Sequence, residues 1–279
     1  MASKFPASPL TVAYDAPPDV KQPYNPEDWL EDTPAASYTL ELFLSSHIKE
    51  SEAFCAESDG GKKRLSFCAV RGFIECLQGL MSHSSTDLMK AIDSNRHTTR
   101  VASEHRKKTS VLGSILGTAR ISSPLTFIKS MDDLERHAEL CYAEALFEKA
   151  LLEIIHSGNS LTLNMPAIVN IYYYLNEYIK ETDSAYTASQ STSSLSSSST
   201  VDELLEDPVI DAHFRSGVYL GMGVYNIVFS LLPPRLAYLG NVFGYKADRG
   251  IGLKFLMRAG GWENEDGEPM VGVGLHLFL

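Results

Sequence analysis

The segment over residues 210–232 has the clearest hydrophobic pattern of the chain. Its apolar residues recur every three or four positions, the spacing of one face of an α-helix. These residues are Ile210, Phe214, Val218, Met222, Tyr225, Val228 and Leu232. Gly217 and Gly221 lie four residues apart in the same helix, where glycine lets another backbone approach closely. The segment is therefore predicted to be a docking core for neighbouring helices, with Tyr225 on its apolar face.

Helical spacing also predicts most of the other elements. Residues 64–81 form a strongly amphipathic helix, and 132–157 form a long helix with a broad apolar face. Further elements are predicted in sequences of weaker pattern, namely helices over 87–108, 166–181 and 248–258, and one helix or two short ones over 34–58. No convincing strand pattern with hairpin turns occurs in the sequence. The predicted fold class is all-α.

The predicted helices follow one another in pairs separated by short turns, an order typical of an α-solenoid built from helical hairpins. Tyr142 and Ala145 lie at positions compatible with a tetratricopeptide-like pattern, although no strict repeat period is established. Alanines elsewhere in the same helix keep its surface thin, so a partner helix can lie close. We predict a helical-hairpin, tetratricopeptide-like α-solenoid, present as an incomplete array.

Changes in composition divide the chain into five regions. A proline-rich arm over 1–33 is predicted to be disordered, and a helical repeat region follows over 34–183. Residues 184–200 are rich in serine and are predicted to be a flexible loop, because they offer too little apolar surface to offset the entropy of ordering. A second helical region spans 201–258, where Pro233 and Pro234 end the main helix because proline lacks the amide hydrogen. Residues 259–279 form an atypical tail.

The charge balance and the cysteines narrow the class of protein. The chain carries 35 acidic and 24 basic residues, a formal net charge of -11, which argues against general nucleic-acid binding. Its four cysteines have no metal-ligand spacing and no CxxC pair, so we expect free thiols in a reducing compartment. The N-terminus lacks the continuous apolar run of a signal peptide.

Motifs for catalysis and for cofactor binding are missing from the sequence. It contains no HExxH motif, no paired Cys/His spacing for zinc, no phosphate-binding loop and no GxSxG nucleophile elbow. The predicted protein is therefore not an enzyme, with no catalytic residue, no cofactor and no metal.

Four segments are candidates for interactions. The aromatic residues Tyr172, Tyr173 and Tyr174 could anchor a peptide, although such a block more often lies half in the core. The basic cluster 96–108 could contact phosphate or acidic lipid, but a solvated helix end is the stronger interpretation. The serine-rich loop is a candidate phosphorylation segment, because phosphates would act on the acidic helix start beside it. Residues 216–234 are uncharged over about the 20 residues that a bilayer span needs, so a membrane-associated helix is the alternative to a buried one.

Several segments resemble one protein family. The clearest is the glycine-rich helix that continues into SLLPPR, residues 213–236, which includes Pro233, Pro234 and Arg235. GYKADRGIGLKFL at 244–256 and ERHAELCYAEALFEKALL at 135–152 agree with it in order. These segments are similar to the fungal inclusion-body-clearance proteins and the animal tetratricopeptide repeat protein 39 group, which form one family.

The resemblance implies a helical scaffold without catalytic residues. It further implies a role in clearing misfolded-protein inclusions, with quality-control or chaperone components as protein partners. Association with lipid droplets or the mitochondrial outer membrane is implied as well, together with a cytoplasmic and nuclear location. Members of the family continue with further helical repeats, whereas this chain ends in GGWENEDGEPMVGVGLHLFL. We therefore expect it to represent an N-terminal portion of a longer array, a short isoform or a truncated gene model.

Overall fold

The computed structural model describes residues 16–107, 128–157, 212–231 and 247–259. Every regular element within these ranges is helical, which confirms the predicted all-α fold for the described part of the chain. The elements are a 3-10 helix, Pro26–Asp32, followed by α1 (Thr33–Leu44), α2 (Ile48–Ser58), α3 (Leu65–Ser82), α4 (Ser85–His105), α5 (Asp133–Ser157), α6 (Ala212–Leu231) and α7 (Arg249–Ala259).

The N-termini of α5 and α7 are set by acidic caps. Asp132 and Glu135 form a capping box, in which each backbone N–H donates to the other residue's carboxylate, at 3.1 and 2.8 Å. The carboxylate of Asp248 accepts from the N–H of Ile251 at 2.9 Å at the start of α7. By contrast, the N-cap of α4 is Ser84, whose side chain makes no capping hydrogen bond.

The helix pairs α1–α2, α3–α4 and α6–α7 each form an antiparallel hairpin. In the first, the Ser51 hydroxyl of α2 donates to the carbonyl of Thr39 in α1 at 2.7 Å. In the second, the Thr98 hydroxyl of α4 donates to the carbonyl of Cys68 in α3 at 2.8 Å. The α6–α7 hairpin is held at one end by the Ser216 hydroxyl, which donates to the carbonyl of Ala259 at 3.4 Å.

The first helices of successive hairpins run parallel to one another. The start of α3 packs on the start of α5 through a cluster that contains Cys68 and Cys141, and their later turns meet where Cys76 packs beside Leu152. α4 runs antiparallel between them, since its start lies against the end of α5, with Ser85 Oγ 3.0 Å from His156 Nε2. This stacking of hairpins confirms the predicted tetratricopeptide-like helical solenoid within the described ranges.

The segment before α1 packs on the body of the array. Trp29 is 3% exposed, and its ring lies 4.3 Å from the imidazole of His137 on α5, measured between ring centres. Arg64, just before α3, pairs with Asp32 at 2.6 Å and lies over the ring of Tyr24. Residues 16–32 of the proline-rich arm therefore contact α3 and α5.

Candidate interaction surfaces

The apolar face of α6 lies in the largest hydrophobic cluster of the described residues. Phe214, Val218 and Met222 are almost completely buried, and they face small and aromatic side chains of α5 such as Ala143 and Phe147. The α6 helix runs parallel to α5, since Phe214 packs near the start of α5 and later residues pack near Phe147. The predicted apolar face of this helix is thus an internal contact surface between successive hairpins.

The helices α6 and α7 approach each other closely at a glycine pair. A Cβ atom placed on Gly252 of α7 would lie 2.9 Å from the carbonyl oxygen of Gly223 and 2.9 Å from Ile227 Cγ1 on α6. A Cβ atom on Gly223 would lie 2.6 Å from the side chain of Leu256. Backbone-to-backbone contact of this kind excludes any larger residue, so the α6–α7 hairpin depends on both glycines. The sequence pattern favoured helix packing for the glycines around Met222, which include Gly223, but it did not single out Gly252.

Replacing Gly252 with alanine is expected to lower the free energy of unfolding by about 1–2 kcal/mol, because the new methyl group meets backbone that cannot move aside. Chemical denaturation measures this change. Gly61→Ala, at an exposed turn position where a Cβ atom would lie no closer than 3.9 Å to another side chain, is the matched control and should lower the free energy of unfolding by no more than about 0.5 kcal/mol. Equal effects of the two substitutions would contradict the close helix contact.

The residues proposed for interactions fall into two groups. The buried residues are Gly217, Gly221, Tyr225 and Ala145. Tyr142 is partly buried, and it packs against two apolar clusters: one joins α5 to α3 and the other joins α5 to α6. The other proposed residues lie outside the described ranges: Pro233, Pro234, Arg235, Tyr172, Tyr173 and Tyr174. For all of them a role in binding a partner stays a prediction.

Tyr142 forms part of a polar contact between α4 and α5. The guanidinium of Arg106 lies 3.8 Å from the centre of the Tyr142 ring and donates two hydrogen bonds to the carboxylate of Glu139, at 2.5 and 2.7 Å. Stacking and bidentate pairing together hold arginine in one orientation. Tyr142 therefore helps to fix the end of α4 against α5.

The basic cluster at the end of α4 is largely neutralised. Arg96 pairs with Asp93, and Arg100 lies 3.8 Å from the carboxylate of Glu104. Arg106 is bound to Glu139, as described above. This pairing fits the interpretation of a solvated helix surface better than that of a free anion-binding patch.

Two glutamates of α5 lie at the contact with α3 and α4. Burial raises the pKa of both Glu144 and Glu148, and that of Glu148 rises to about 8 although a hydrogen bond from Asn95 opposes the shift. Asn95 is itself buried, and its amide donates to the carbonyl oxygens of Gly72 and Ala91 at 3.4 and 3.2 Å. Sequence analysis did not single these glutamates out. The pattern that could have identified them is a pair of acidic residues, four positions apart, within the broad apolar face of the helix.

The stability of the fold is expected to fall as the pH rises because of Glu148. The unfolded chain binds this proton only below about pH 4.3, whereas the folded chain holds it up to about pH 8. Between these values the folded state holds the extra proton, so its free energy of unfolding decreases by up to about 1.4 kcal/mol per pH unit. The stability that the protonated Glu148 side chain contributes to the folded state is fully present below about pH 4.3 and is lost as the pH rises through about 8.

Glu148→Gln removes this titration and should raise the free energy of unfolding at pH 8 by about 1 kcal/mol or more. Urea denaturation at several pH values between 5 and 9, a range of about four units, measures the slope. Glu104→Gln makes the same charge change at an exposed site of α4 and serves as the control. A slope that is unchanged in Glu148→Gln would contradict a buried, protonated Glu148.

A cavity of about 330 Å³ lies between α2, α3 and α4, and a second of about 370 Å³ adjoins it. Both are lined by Lys62, Arg71, Glu75 and Lys90. None of these four residues was among the candidates from the sequence, because they come from three separate segments and each is of a type common on helix surfaces.

Metal and membrane sites were sought in the described ranges. These ranges hold no group of three or more His, Cys, Asp or Glu side chains placed to bind a metal ion. Among the helices of the described structure, none is long and apolar enough to cross a membrane. The four cysteines are free and buried, and burial raises the pKa of each thiol.

Comparison with known proteins gives matches over most of the chain. The model of the family Iml2/Tetratricopeptide repeat protein 39 matches residues 37–266. "Tetratricopeptide repeat protein ttc-39B" of Caenorhabditis elegans is 24% identical over 223 residues, which cover 78% of this chain and 34% of the relative. "Inclusion body clearance protein IML2" of Scheffersomyces stipitis is 32% identical over 132 residues, which cover 47% of this chain and 15% of the relative.

The matched region spans about a third or less of the length of these two relatives. No solved structure gives a significant match to the chain. The family match nevertheless includes α3 to α7 and the hairpin contacts built from them, and it agrees with the resemblance carried by residues 135–152, 213–236 and 244–256. The chain belongs to the Iml2/Tetratricopeptide repeat protein 39 family.

Proposed function

We propose that this protein is a non-enzymatic helical-repeat scaffold that takes part in clearing misfolded-protein inclusion bodies. The observation that carries the proposal is the stack of parallel hairpins, whose helices bury their apolar faces against one another and leave polar surfaces and cavities between them. Arrays of this kind present extended surfaces to protein partners. The name of the Scheffersomyces stipitis relative supplies the cellular process.

Membership of a repeat family supports a binding role over a catalytic one. Repeat proteins act by holding partners, and the two relatives are named for their repeats or for inclusion-body clearance rather than for a reaction. The proposed partners are quality-control or chaperone components. Because the matched relatives are much longer than the matched region, these partners belong to the proposal and are assigned to this chain only by analogy.

The experiment is to delete the gene in its own host and follow an aggregating fluorescent reporter after heat stress. Loss of the protein should slow the disappearance of inclusions, and re-expression of the full chain should restore it. The chain should also co-precipitate with chaperone components from stressed cells but not from unstressed ones. Clearance at the normal rate in the deletion strain would reject the proposal.

The proposed place of action is the cytoplasm and nucleus, with contact to lipid droplets or the mitochondrial outer membrane. Fluorescence microscopy of a tagged chain beside lipid-droplet and mitochondrial markers tests this contact. Carbonate extraction then separates the two modes of association. A peripheral protein is released into the soluble fraction, whereas a helix inserted over 216–234 would keep the chain in the membrane pellet.

A further inference from the structure

The cavity between α2, α3 and α4 contains a cation without an anionic partner. Arg71 is half-buried on α3, and its Nη2 donates to the carbonyl oxygen of Cys55 at 3.4 Å and lies 3.3 Å from the Cys55 sulfur. Burial raises the pKa of the Cys55 thiol, so both acceptors are neutral. Among the residues that the structure describes, no carboxylate forms an ion pair with Arg71.

A half-buried charge of this kind is normally paired, because removing it from water is unfavourable without a counter-ion. The guanidinium has five N–H donors in a planar fork, and Cys55 engages only Nη2. This fork matches the two oxygens of a carboxylate. Arg71 lines both adjoining cavities, so an anion that entered either of them would reach it.

The acidic residues around the cavity are already bonded to other groups. Asp59 caps the start of α3 by accepting from two backbone N–H groups at 3.0 and 3.3 Å. Glu75 pairs with Lys90 at 3.4 Å, and Asp93 pairs with Arg96. None of these carboxylates forms an ion pair with Arg71, although the charge of Asp59 contributes to the raised pKa of the guanidinium.

A second cation stands at the mouth of the cavity. Lys62 is exposed in the turn before α3, and its backbone carbonyl is fixed by a contact of 2.7 Å to the imidazole of His97. On the opposite wall, Glu52 of α2 accepts from the side-chain amide of Gln78 at 3.5 Å. An anion would therefore enter past Lys62 and end at Arg71.

We propose that this cavity binds a carboxylate side chain from an acidic segment of a partner protein, with Arg71 as its main ligand and Lys62 at the entrance. The volume of about 330 Å³ accommodates one side chain and its flanking backbone. The site thus assigns a class of partner to the scaffold, and it rests on the proposed function.

The surroundings favour a protein segment over a polyanionic surface. Arg71 is recessed between helices, and several carboxylates lie around it in a protein of net charge -11. Nucleic acids and anionic bilayers present many charges at once, and these neighbouring carboxylates would repel them. A flexible peptide inserts one carboxylate and keeps the rest of its length in solvent.

The test uses the full chain and a fluorescein-labelled Gly-Ser peptide that carries a single central Glu-Ser unit, with a Gln-Ser unit in its place as the matched ligand. Fluorescence anisotropy should show binding of the Glu-Ser peptide and at least about tenfold weaker binding of the Gln-Ser peptide. Arg71→Met should weaken the Glu-Ser complex by about tenfold or more and remove the preference between the peptides. Arg249→Met makes the same charge change on an exposed arginine of α7 that lines neither cavity, and it should change affinity by no more than about twofold.

Circular dichroism verifies that each variant is folded. If Arg71→Met does not fold, Lys62→Gln tests the site instead. This variant should lose about threefold in affinity for the Glu-Ser peptide and should bind the Gln-Ser peptide as the wild type does. Equal weakening by Arg71→Met and Arg249→Met would overturn the proposal, as would equal binding of the two peptides. Arg71-dependent binding seen only with inorganic phosphate or with phosphatidylserine vesicles would overturn it too.

Failure of this site is distinguishable from failure of the scaffold function. One outcome is that the purified Arg71→Met variant binds the peptide as the wild type does and that cells carrying it clear inclusions at the wild-type rate. That outcome would reject the proposed binding site in the cavity and leave the scaffold proposal standing. Slow clearance together with lost peptide binding is the result expected from both proposals.

Discussion

Replacing Tyr225 with alanine is expected to lower the free energy of unfolding by about 3–5 kcal/mol, the range for removing a large aromatic side chain from a core. The ring is fully buried and lies 4.3 Å from Phe229 and 5.8 Å from Phe147, measured between ring centres. Its removal opens a cavity between α5 and α6, because close-packed helices relax only partly around a missing ring. Urea denaturation followed by circular dichroism measures the loss.

The control for this change lies on the same helix. Leu231 is 63% exposed at the end of α6, so Leu231→Ala should alter the free energy of unfolding by no more than about 0.5 kcal/mol. Similar losses for the two variants, or a loss below about 1 kcal/mol for Tyr225→Ala, would show that α6 does not form the core between the last two hairpins. The predicted difference is a consequence of burial alone, since both substitutions leave good helix formers in place.

Hydrophobic periodicity predicted the helices well because it depends on neighbours within one element. The helix predicted over 64–81 is observed as Leu65–Ser82, and the helix predicted over 132–157 is observed as Asp133–Ser157. The segment over 34–58 is two helices, which part at Ser46, a residue with φ of 68°. The all-α fold and the family were predictable for the same reason, because both can be identified from local sequence patterns and the order in which they follow one another.

Features that depend on contacts between distant segments could not be predicted in this way. The importance of Gly252 is set by Gly223 on another helix, and either glycine alone has several ordinary explanations. Arg71 lies on a helix with a strong apolar face, where a charged residue indicates nothing more than the solvent side. Its half-buried position becomes evident only when α2 and α4 are placed around it.

Polar and apolar contacts are distributed unevenly along the array. The contact of α5 with α6 is made of aromatic and aliphatic side chains, whereas that of α3 with α4 includes Asn95 and Thr98 bonded to backbone carbonyls. Buried polar contacts fix geometry more than they add stability, because each exchanges hydrogen bonds with water for hydrogen bonds within the protein. The later hairpins are therefore expected to supply most of the stability, and the earlier ones the more precisely shaped polar surface.

Breaking the ion pair between Asp32 and Arg64 should produce a second large effect. Both side chains are 4% exposed, and they meet at 2.6 Å. Asp32→Ala would leave the guanidinium buried without its anion, so the free energy of unfolding should fall by about 3–5 kcal/mol. The Asp32 side chain makes no capping hydrogen bond to α1, so the loss would report on the ion pair rather than on the helix terminus. Chemical denaturation measures it.

A double substitution separates the ion pair from the burial of its side chains. Burial raises the pKa of Asp32 even though Arg64 opposes the shift, so the attraction does not fully offset the loss of solvation. Asp32→Leu combined with Arg64→Met should therefore be within about 1 kcal/mol of the wild type, although Asp32→Ala alone is severely destabilised. Asp93→Ala, which breaks the exposed pair with Arg96, should change stability by no more than about 1 kcal/mol. A double variant as unstable as Asp32→Ala would show instead that the charges themselves hold the arm against α3.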